Sequence, residues 1–138
     1  MAPPTGKPVA PRRVSIERYL RPFPEPVREL TNEALDLIRR LVPELDARVY
    51  PGWKLIGLRV TEGKKLCYVG YLYPTETHLM LGFEYGTMMA DPEGLLKGAG
   101  SQVRTIELRT RRDLREKRLA PYILEAVQIA LERKARRV

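Results

Sequence analysis

The chain has 138 residues, of which 43% are hydrophobic and 30% charged, and its formal net charge is +8. A chain of this length matches the commonest size of a single domain and buries enough core to fold without disulfides or a structural metal. Its one cysteine cannot form an internal disulfide, which favours a reducing compartment, and we expect a cytoplasmic protein. No apolar run approaches the roughly 20 residues of a membrane span, so we expect no membrane partner.

The positive charge is concentrated at the two ends of the chain. Residues 1–14 carry a net charge of +3, residues 103–138 carry +6, and residues 15–102 carry −1. Charge placed in this way suits a local anionic partner such as nucleic acid, or it serves solubility alone. Residues 1–13 are rich in proline and basic, with few apolar side chains, and indicate a disordered arm. Residues 14–138 then form a single domain.

Helical patterns lie at the two ends of this domain. Ser15 is the expected cap of a short helical turn, and three prolines at 22, 24 and 26 then break the chain. The pattern predicts a long helix near residues 26–42, which starts beside Pro26 and ends before Pro43. A closing helix is predicted near residues 120–135, with Pro121 in its first turn. Each helix carries one apolar stripe at helical spacing.

Strand patterns fill the middle of the domain. They cover residues 48–51, 54–60, 65–73, 77–85 and 102–110, and turn residues separate most of them. The turn Asp91-Pro92-Glu93-Gly94 is expected to lead into one helical turn that ends at Gly98. Short links between strands favour antiparallel pairing. The sequence therefore predicts an α+β fold, with an antiparallel sheet of four to five strands and both helices packed on one face.

The two faces of the segment 65–73 are both largely apolar. Strict alternation places Leu66, Tyr68 and Leu72 on one face and Cys67, Val69, Tyr71 and Tyr73 on the other. Because two helices cover only one face of a sheet, we expect the second face to meet a loop, a small ligand or another protein. A protein partner or a homodimer is expected there. The candidate residues on this ligand face are Trp53, Tyr71 and His78.

Several segments resemble a known family. Residues 78–83 (His-Leu-Met-Leu-Gly-Phe), the loop 91–100 and Arg104 resemble the central signature of the YdhG-like family of bacterial domains of unknown function. The similarity covers roughly residues 15–131. The family often has a Trp/Tyr-Gly-Met-Pro segment after the first helix, where this chain has Tyr-Pro-Gly-Trp-Lys at 50–54. The resemblance implies a compact α+β fold with a frataxin-like layout, and one branch of the family is described as an intracellular iron chaperone.

The long first helix carries acidic residues that fit this implied function. At about 100° per residue, its carboxylates at 25, 29, 33 and 36 fall within an arc of about 80°, opposite the apolar stripe. Hard cations take oxygen ligands, so iron or manganese is chemically plausible there, and the resemblance makes iron the candidate cofactor. The proposed ligands, which we call the acidic helix face, are Glu29, Glu33 and Asp36. The alternative is a solvated helix face with its acids near the positive end of the helix dipole. Arg39 and Arg40 lie close enough to pair with Asp36.

Basic side chains form a second candidate site in the last third of the chain. The set that we expect to attract phosphates is Arg104, Arg111, Arg112, Arg115 and Arg118. The alternative for the last four is a solvated linker. The small residues 98–101 beside Arg104 can form an anion-binding nest, or else end a helical turn with a glycine.

Catalysis is not supported by any pattern in the sequence. Cys67 and His78 are the only residues of their types, and a Cys–His dyad needs an orienting partner and a lowered thiol pKa. Two such residues cannot build a four-ligand zinc site either. We therefore expect a non-catalytic binding domain with a structural cysteine. Its ligand is iron, or else nucleic acid or another anion, or else a small molecule or protein on the ligand face.

Overall fold

The computed structural model describes residues 14–136, with side chains through residue 133. The expected disordered arm, residues 1–13, lies outside this part. In chain order the elements are α1 Ile16–Leu20, α2 Glu25–Leu41, β1 Asp46–Tyr50, β2 Leu55–Glu62, β3 Lys65–Pro74, β4 Leu79–Phe83, β5 Arg104–Leu108 and α3 Glu116–Arg136. Short 3₁₀ turns at Gly86–Met88 and Arg111–Leu114 stand before and after β5. No helix in the described part is both long and apolar enough to cross a membrane.

The first two helices begin and end where their caps predict. The Ser15 side chain accepts a hydrogen bond of 3.1 Å from the Arg18 amide at the start of α1. Pro24 and Pro26 flank the first residue of α2, where a missing N–H costs nothing, and Pro43 follows its end. The amphipathic stripe of α2 is buried, as its spacing predicts.

The last helix begins four residues earlier than expected. The amides of Arg109 and Thr110 donate to the Asp113 carboxylate at 2.7 and 3.1 Å, and this capping box folds Arg111–Leu114 into a 3₁₀ turn. The helix continues directly from this turn at Glu116. Pro121 therefore lies in its second turn, where it lacks one backbone donor but does not end the helix.

The five strands form an antiparallel sheet in the order β1-β2-β3-β4-β5, in which each strand pairs with its neighbours in sequence. A β-bulge interrupts the pairing of β2 with β3, since Leu58 pairs with Gly70 while the next residue, Arg59, pairs with Tyr68. Val69 is thus an extra residue on β3, and alternation resumes one position later.

The bulge corrects the predicted division of β3 between its two faces. Cys67, Val69 and Leu72 all belong to the main core, which α2 and α3 cover. Tyr68, Tyr71 and Tyr73 project from the other face. The grouping of Tyr68 with Leu72, and of Cys67 and Val69 with Tyr71, was wrong because strict alternation does not count the extra residue.

The fold class predicted from the sequence is confirmed: the protein is an α+β domain with a meandering antiparallel sheet and two long helices on one face. Aliphatic side chains of α2, α3 and all five strands meet in a single core between helices and sheet. The opposite face of the sheet points away from both long helices.

Candidate functional site

Aromatic side chains dominate the face of the sheet opposite α2 and α3. We call this surface the tyrosine face, and its aromatic members are Tyr50 on β1, Trp53 in the β1–β2 turn, and Tyr68, Tyr71 and Tyr73 on β3. It holds four of the seven tyrosines of the chain and its single tryptophan. Tyr71 is 1% exposed, whereas the other four rings are half-buried. The half-buried rings are held in place but remain accessible at the surface.

Two glycines allow the central rings to lie flat on the sheet. A Cβ at Gly57 would fall 2.7 Å from Cδ2 of Tyr50, and a Cβ at Gly82 would fall 2.6 Å from Cε1 of Tyr71. Neither distance is compatible with van der Waals contact, so any side chain at these positions would force the ring away. The two glycines on β2 and β4 therefore determine the shape of the tyrosine face.

Three rings, which belong to Tyr50, Trp53 and Tyr68, pack against one another at the β1 end of the face. Trp53 stacks on Tyr50 with ring centroids 4.9 Å apart, and Tyr68 meets Tyr50 edge-on at 6.3 Å. Such stacked and edge-to-face pairs each stabilise by about 0.5–1.5 kcal/mol beyond the area they bury. Tyr19 on α1 donates to the Lys54 carbonyl at 2.6 Å and so fixes the turn that carries Trp53.

Two buried donors on the tyrosine face have no acceptor within the described part of the chain. They are the hydroxyl of Tyr68 and Nε of Arg59. Arg59 is 8% exposed, forms an ion pair with Asp46, and donates from a second nitrogen to the Tyr50 hydroxyl at 3.3 Å. An unsatisfied buried donor costs about 1–3 kcal/mol, and both atoms have almost no accessible surface, so they lie beneath the part of the face that a ligand can touch.

Two phenols of this face, Tyr68 and Tyr71, have a raised pKa and stay protonated at neutral pH. Burial raises the pKa of Tyr68 well above its ordinary value, and the nearby Glu84 carboxylate raises it further. Burial and the same carboxylate raise the pKa of Tyr71 to about 12. Glu84 also accepts a hydrogen bond of 2.9 Å from Gln102. The face thus combines neutral phenols with one adjacent carboxylate.

The third predicted ligand-face residue, His78, lies immediately before β4. Its Nδ1 is 3.1 Å from the Thr75 hydroxyl and 2.8 Å from the Thr77 hydroxyl, and its Nε2 is 3.5 Å from Glu107. A hydrogen bond from Arg109 holds the pKa of the Glu107 carboxyl below its usual range. By strand alternation from Leu79, His78 projects from the same face as Trp53 and Tyr71. The structure thus places all three predicted residues on one face.

A Cys–His dyad does not form. Cys67 is 3% exposed and packs in the core between sheet and helices, whereas His78 projects from the opposite face. The side chain of Cys67 occupies the position of a small buried hydrophobe, as the sequence suggested.

The acidic helix face lies on α2, where Glu29 and Asp36 are exposed and Glu33 is half-buried. Glu33 is paired with Nε of Arg111 at 3.0 Å, which partly neutralises the face. Arg40 pairs with Glu116 at 3.3 Å and not with Asp36 as expected. Among the described residues, no three His, Cys, Asp or Glu side chains come together as a metal-binding group. Iron binding at this helix stays a prediction.

Arg104, the first residue of β5, is hydrogen-bonded to the loop that precedes this strand. Its Nη1 donates to the Gly100 carbonyl at 2.7 Å and to the Val103 carbonyl at 2.8 Å. Gly98 has a φ of +140°, which only glycine adopts readily. Arg104 is therefore bound to carbonyl oxygens of an open loop, and the glycine-ended helical turn expected there is absent from residues 91–100.

The other four candidate arginines divide into two pairs. Arg111 pairs with Glu33, and Arg118 donates to the Asp113 carbonyl at 2.9 Å, so both take part in contacts within the fold. Arg112 and Arg115 are exposed and have no ion pair with a described residue. Only these two, in or beside the 3₁₀ turn before α3, present their full charge to an anionic partner.

A set of hydrogen bonds that the sequence analysis did not predict joins the loop after β4 to α3. The Asp91 carboxylate accepts hydrogen bonds from the Leu95 amide at 2.8 Å and the Tyr122 hydroxyl at 2.7 Å. The Glu93 amide donates to the same hydroxyl at 3.0 Å. The bond from Tyr122 holds the pKa of Asp91 below its ordinary value. The helical turn expected after Asp91 does not form, because this carboxylate caps an open turn in its place.

Comparisons of the chain with models of protein families, with curated proteins and with solved structures find no match. The resemblance to the YdhG-like family, the frataxin-like layout and the iron chaperone function that it implies stay predictions.

Proposed function

We propose that this protein is a non-catalytic binding domain that uses its tyrosine face to bind an extended polypeptide segment. The observation that carries the proposal is the set of four half-buried aromatic rings on the sheet face opposite the helices. Tyrosine and tryptophan are enriched in protein interfaces, because each supplies a large contact area and loses little conformational freedom on binding.

The accessible groups of the face narrow the class of ligand. The Tyr68 hydroxyl and Arg59 Nε have almost no accessible surface, so a ligand meets the half-buried rings themselves. An extended polypeptide without internal hydrogen bonds offers backbone carbonyl oxygens at regular intervals, and its side chains pack between aromatic rings. An anionic ligand is disfavoured because Arg59, the cation beside Tyr68, is already paired with Asp46, and Glu84 adds a carboxylate near Tyr68 and Tyr71.

Trp53 makes the proposal directly testable, because the fluorescence of the single tryptophan reports on this face alone. A hexaproline peptide is titrated into the full chain, with a Gly-Ser peptide of equal length as the control ligand. We expect saturable quenching or a spectral shift with hexaproline only. Tyr73→Ala removes one half-buried ring, whose packing against the ligand contributes about 1 kcal/mol, and is expected to weaken binding about fivefold.

The matched control variant is Leu124→Ala, because Leu124 is a large exposed hydrophobic residue of α3, which packs on the other side of the sheet. Its affinity for hexaproline should equal that of the wild type. Equal weakening by Leu124→Ala and by Tyr73→Ala, or no saturable change with hexaproline, would show that the tyrosine face is not a peptide site.

The other functions inferred from the sequence receive less support from the contacts. Glu33 of the acidic helix face is paired with an arginine, and three of the five candidate arginines are engaged within the fold. We infer a cytoplasmic location from the single cysteine, which is buried in the core.

A further inference from the structure

A cavity of about 420 Å³ lies between α1 and α2. We call it the helix cleft, and its polar side chains are those of Glu17, Arg21, Arg28, Asn32 and Arg39. Two leucines at positions 20 and 35 also line it and are almost completely buried, so the cleft ends on apolar packing. Binding sites for small molecules commonly have volumes of about 300–1,000 Å³. The helix cleft is therefore large enough for a small ligand.

The residue spacing on α2 explains why basic groups meet at the cleft. At about 100° per residue, Arg28, Asn32 and Arg39 fall within an arc of about 40°. The acidic helix face occupies the adjacent arc, and its Glu33 and Asp36 line a different cavity. The net charge of −1 over residues 15–102 therefore hides a local basic group, because the acids and arginines of this helix point in different directions.

The cleft carries an excess of positive charge. Arg21, Arg28 and Arg39 line it and form no ion pair with a residue in the described part of the chain. Glu17 is the single carboxylate among the residues that line it, so three arginines and one glutamate leave a net charge of +2. An anion entering the cleft therefore finds cationic groups that no carboxylate of the described fold already occupies.

Arg28 is held in place before any ligand binds. Its Nη1 donates to the Phe23 carbonyl at 2.9 Å and to the Arg21 carbonyl at 3.4 Å, across the turn between the two helices. A guanidinium group has five N–H donors, so these two bonds leave other donors of Arg28 for a ligand. Arg21, Asn32 and Arg39 are exposed and accessible to a molecule in solution.

We infer that the helix cleft binds the phosphate group of a small organic phosphate monoester. At neutral pH such a group carries close to two negative charges and three acceptor oxygens, which match the charge of the cleft and its donors. Guanidinium groups bind phosphate through paired N–H donors, and the Asn32 amide adds two more donors. Since one water molecule occupies about 30 Å³, a phosphate group fills only part of the cleft and leaves room for a small organic body.

The test is a titration of the full-length protein with glycerol 3-phosphate, measured by calorimetry and by NMR. We expect saturable binding, with the largest chemical-shift changes at the side-chain amide of Asn32 and the Nε–H groups of Arg21 and Arg39. Dimethyl phosphate, a diester with one negative charge, is the control ligand and should bind at least about fivefold more weakly, because it forms fewer charge-assisted hydrogen bonds.

Exposed residues of the cleft supply variants that keep the fold intact. Arg21→Gln and Arg39→Gln should each weaken the binding of glycerol 3-phosphate about fivefold, and Glu17→Gln should tighten it, because it removes the carboxylate. The matched control is Arg115→Gln, which removes the same charge from an exposed arginine beside the 3₁₀ turn before α3 and should leave the affinity unchanged. The urea midpoint of all four variants should equal that of the wild type.

Two results would overturn the inference. One is the absence of saturable shifts at Arg21, Asn32 and Arg39. The other is equal weakening by Arg39→Gln and by Arg115→Gln, which indicates attraction by net charge alone.

A single-stranded oligonucleotide with a 5′-phosphate distinguishes a second source of the same chemical group. If it binds more tightly than glycerol 3-phosphate and loses this advantage in Arg39→Gln, the cleft binds nucleic-acid ends and the small-molecule inference is wrong. The inference does not depend on the tyrosine face, so Arg39→Gln and Glu17→Gln should leave hexaproline binding unchanged, and either proposal can fail alone.

Discussion

Substituting Gly82 by alanine tests how the tyrosine face is built. Gly82 on β4 pairs with Tyr71 on β3, and its missing side chain leaves the space that the Tyr71 ring occupies. A methyl group there would lie 2.6 Å from ring atom Cε1 and closer still to Cζ and Cε2, within the repulsive range. Tyr71 is 1% exposed, so the ring cannot swing freely into solvent without losing its packing.

Two opposing effects set the size of the expected change. Overpacking a well-filled site costs about 1–3 kcal/mol. Replacing glycine by alanine recovers about 0.4–1 kcal/mol through the lower entropy of the unfolded chain. We therefore expect Gly82→Ala to lower the free energy of unfolding by about 1–2 kcal/mol, which corresponds to a fall in Tm of roughly 3–8 °C for a domain of this size.

Urea unfolding monitored by Trp53 fluorescence measures this change. The control is Gly52→Ala, because a Cβ at Gly52 meets nothing within 4 Å, and its stability should match or slightly exceed that of the wild type. In a Tyr71→Ala background the cost of Gly82→Ala should disappear, since the ring is gone. An unchanged stability of Gly82→Ala, or the same loss with and without the ring, would refute the packing argument.

Three further predictions address the rest of the molecule. Tyr122→Phe removes the hydroxyl that joins α3 to the loop after β4, and should lower the free energy of unfolding by about 1–2 kcal/mol near pH 7. The Tyr122 hydroxyl keeps the pKa of Asp91 in the folded protein below its ordinary value. The stability that this hydrogen bond contributes is therefore present above the pKa of Asp91 in the unfolded chain, and is lost as pH falls through the lower pKa of the folded protein. The difference in unfolding free energy between wild type and Tyr122→Phe, measured by urea unfolding, should shrink below about pH 4. Anaerobic titration with ferrous iron should give equal affinity for the wild type and for the variant Glu29→Gln/Glu33→Gln/Asp36→Asn, because Glu33 already has an arginine partner. Clearly tighter binding by the wild type would establish the iron site. Duplex DNA should bind weakly and only at low salt, and Arg112→Gln/Arg115→Gln should reduce both the affinity and its salt dependence by fluorescence anisotropy; an unchanged salt slope would exclude these two arginines from the contact.

Much of the fold follows from local patterns in the sequence. The stripe of α2 repeats at helical spacing between Pro26 and Pro43, and each strand lies between turn residues, so the elements and their order are predictable from neighbouring residues alone. Short links then leave an antiparallel meander as the consistent arrangement. The buried position of Cys67 in the core also follows from its place in an apolar strand.

The composition of the two sheet faces was decided only by tertiary structure. The bulge at Leu58 and Gly70 depends on how two strands pair, and one extra residue moves Leu72 to the face of Cys67 and Val69. No periodicity within β3 reveals this change, because pairing with β2 is a nonlocal property.

Nonlocal contacts also decide which arginines are available to bind an anion. Arg111 meets Glu33 and Arg104 meets loop carbonyls through contacts between elements far apart in the chain, so the sequence presented both arginines as candidates for an anion site. The sequence determined which side chains the protein contains and which local elements they form. They include Trp53, Tyr71 and His78, which the sequence already grouped on one face. Only the packing of those elements decided that Tyr68 lies on the same face as Tyr71, because a shared face depends on strand register and on the bulge between β2 and β3.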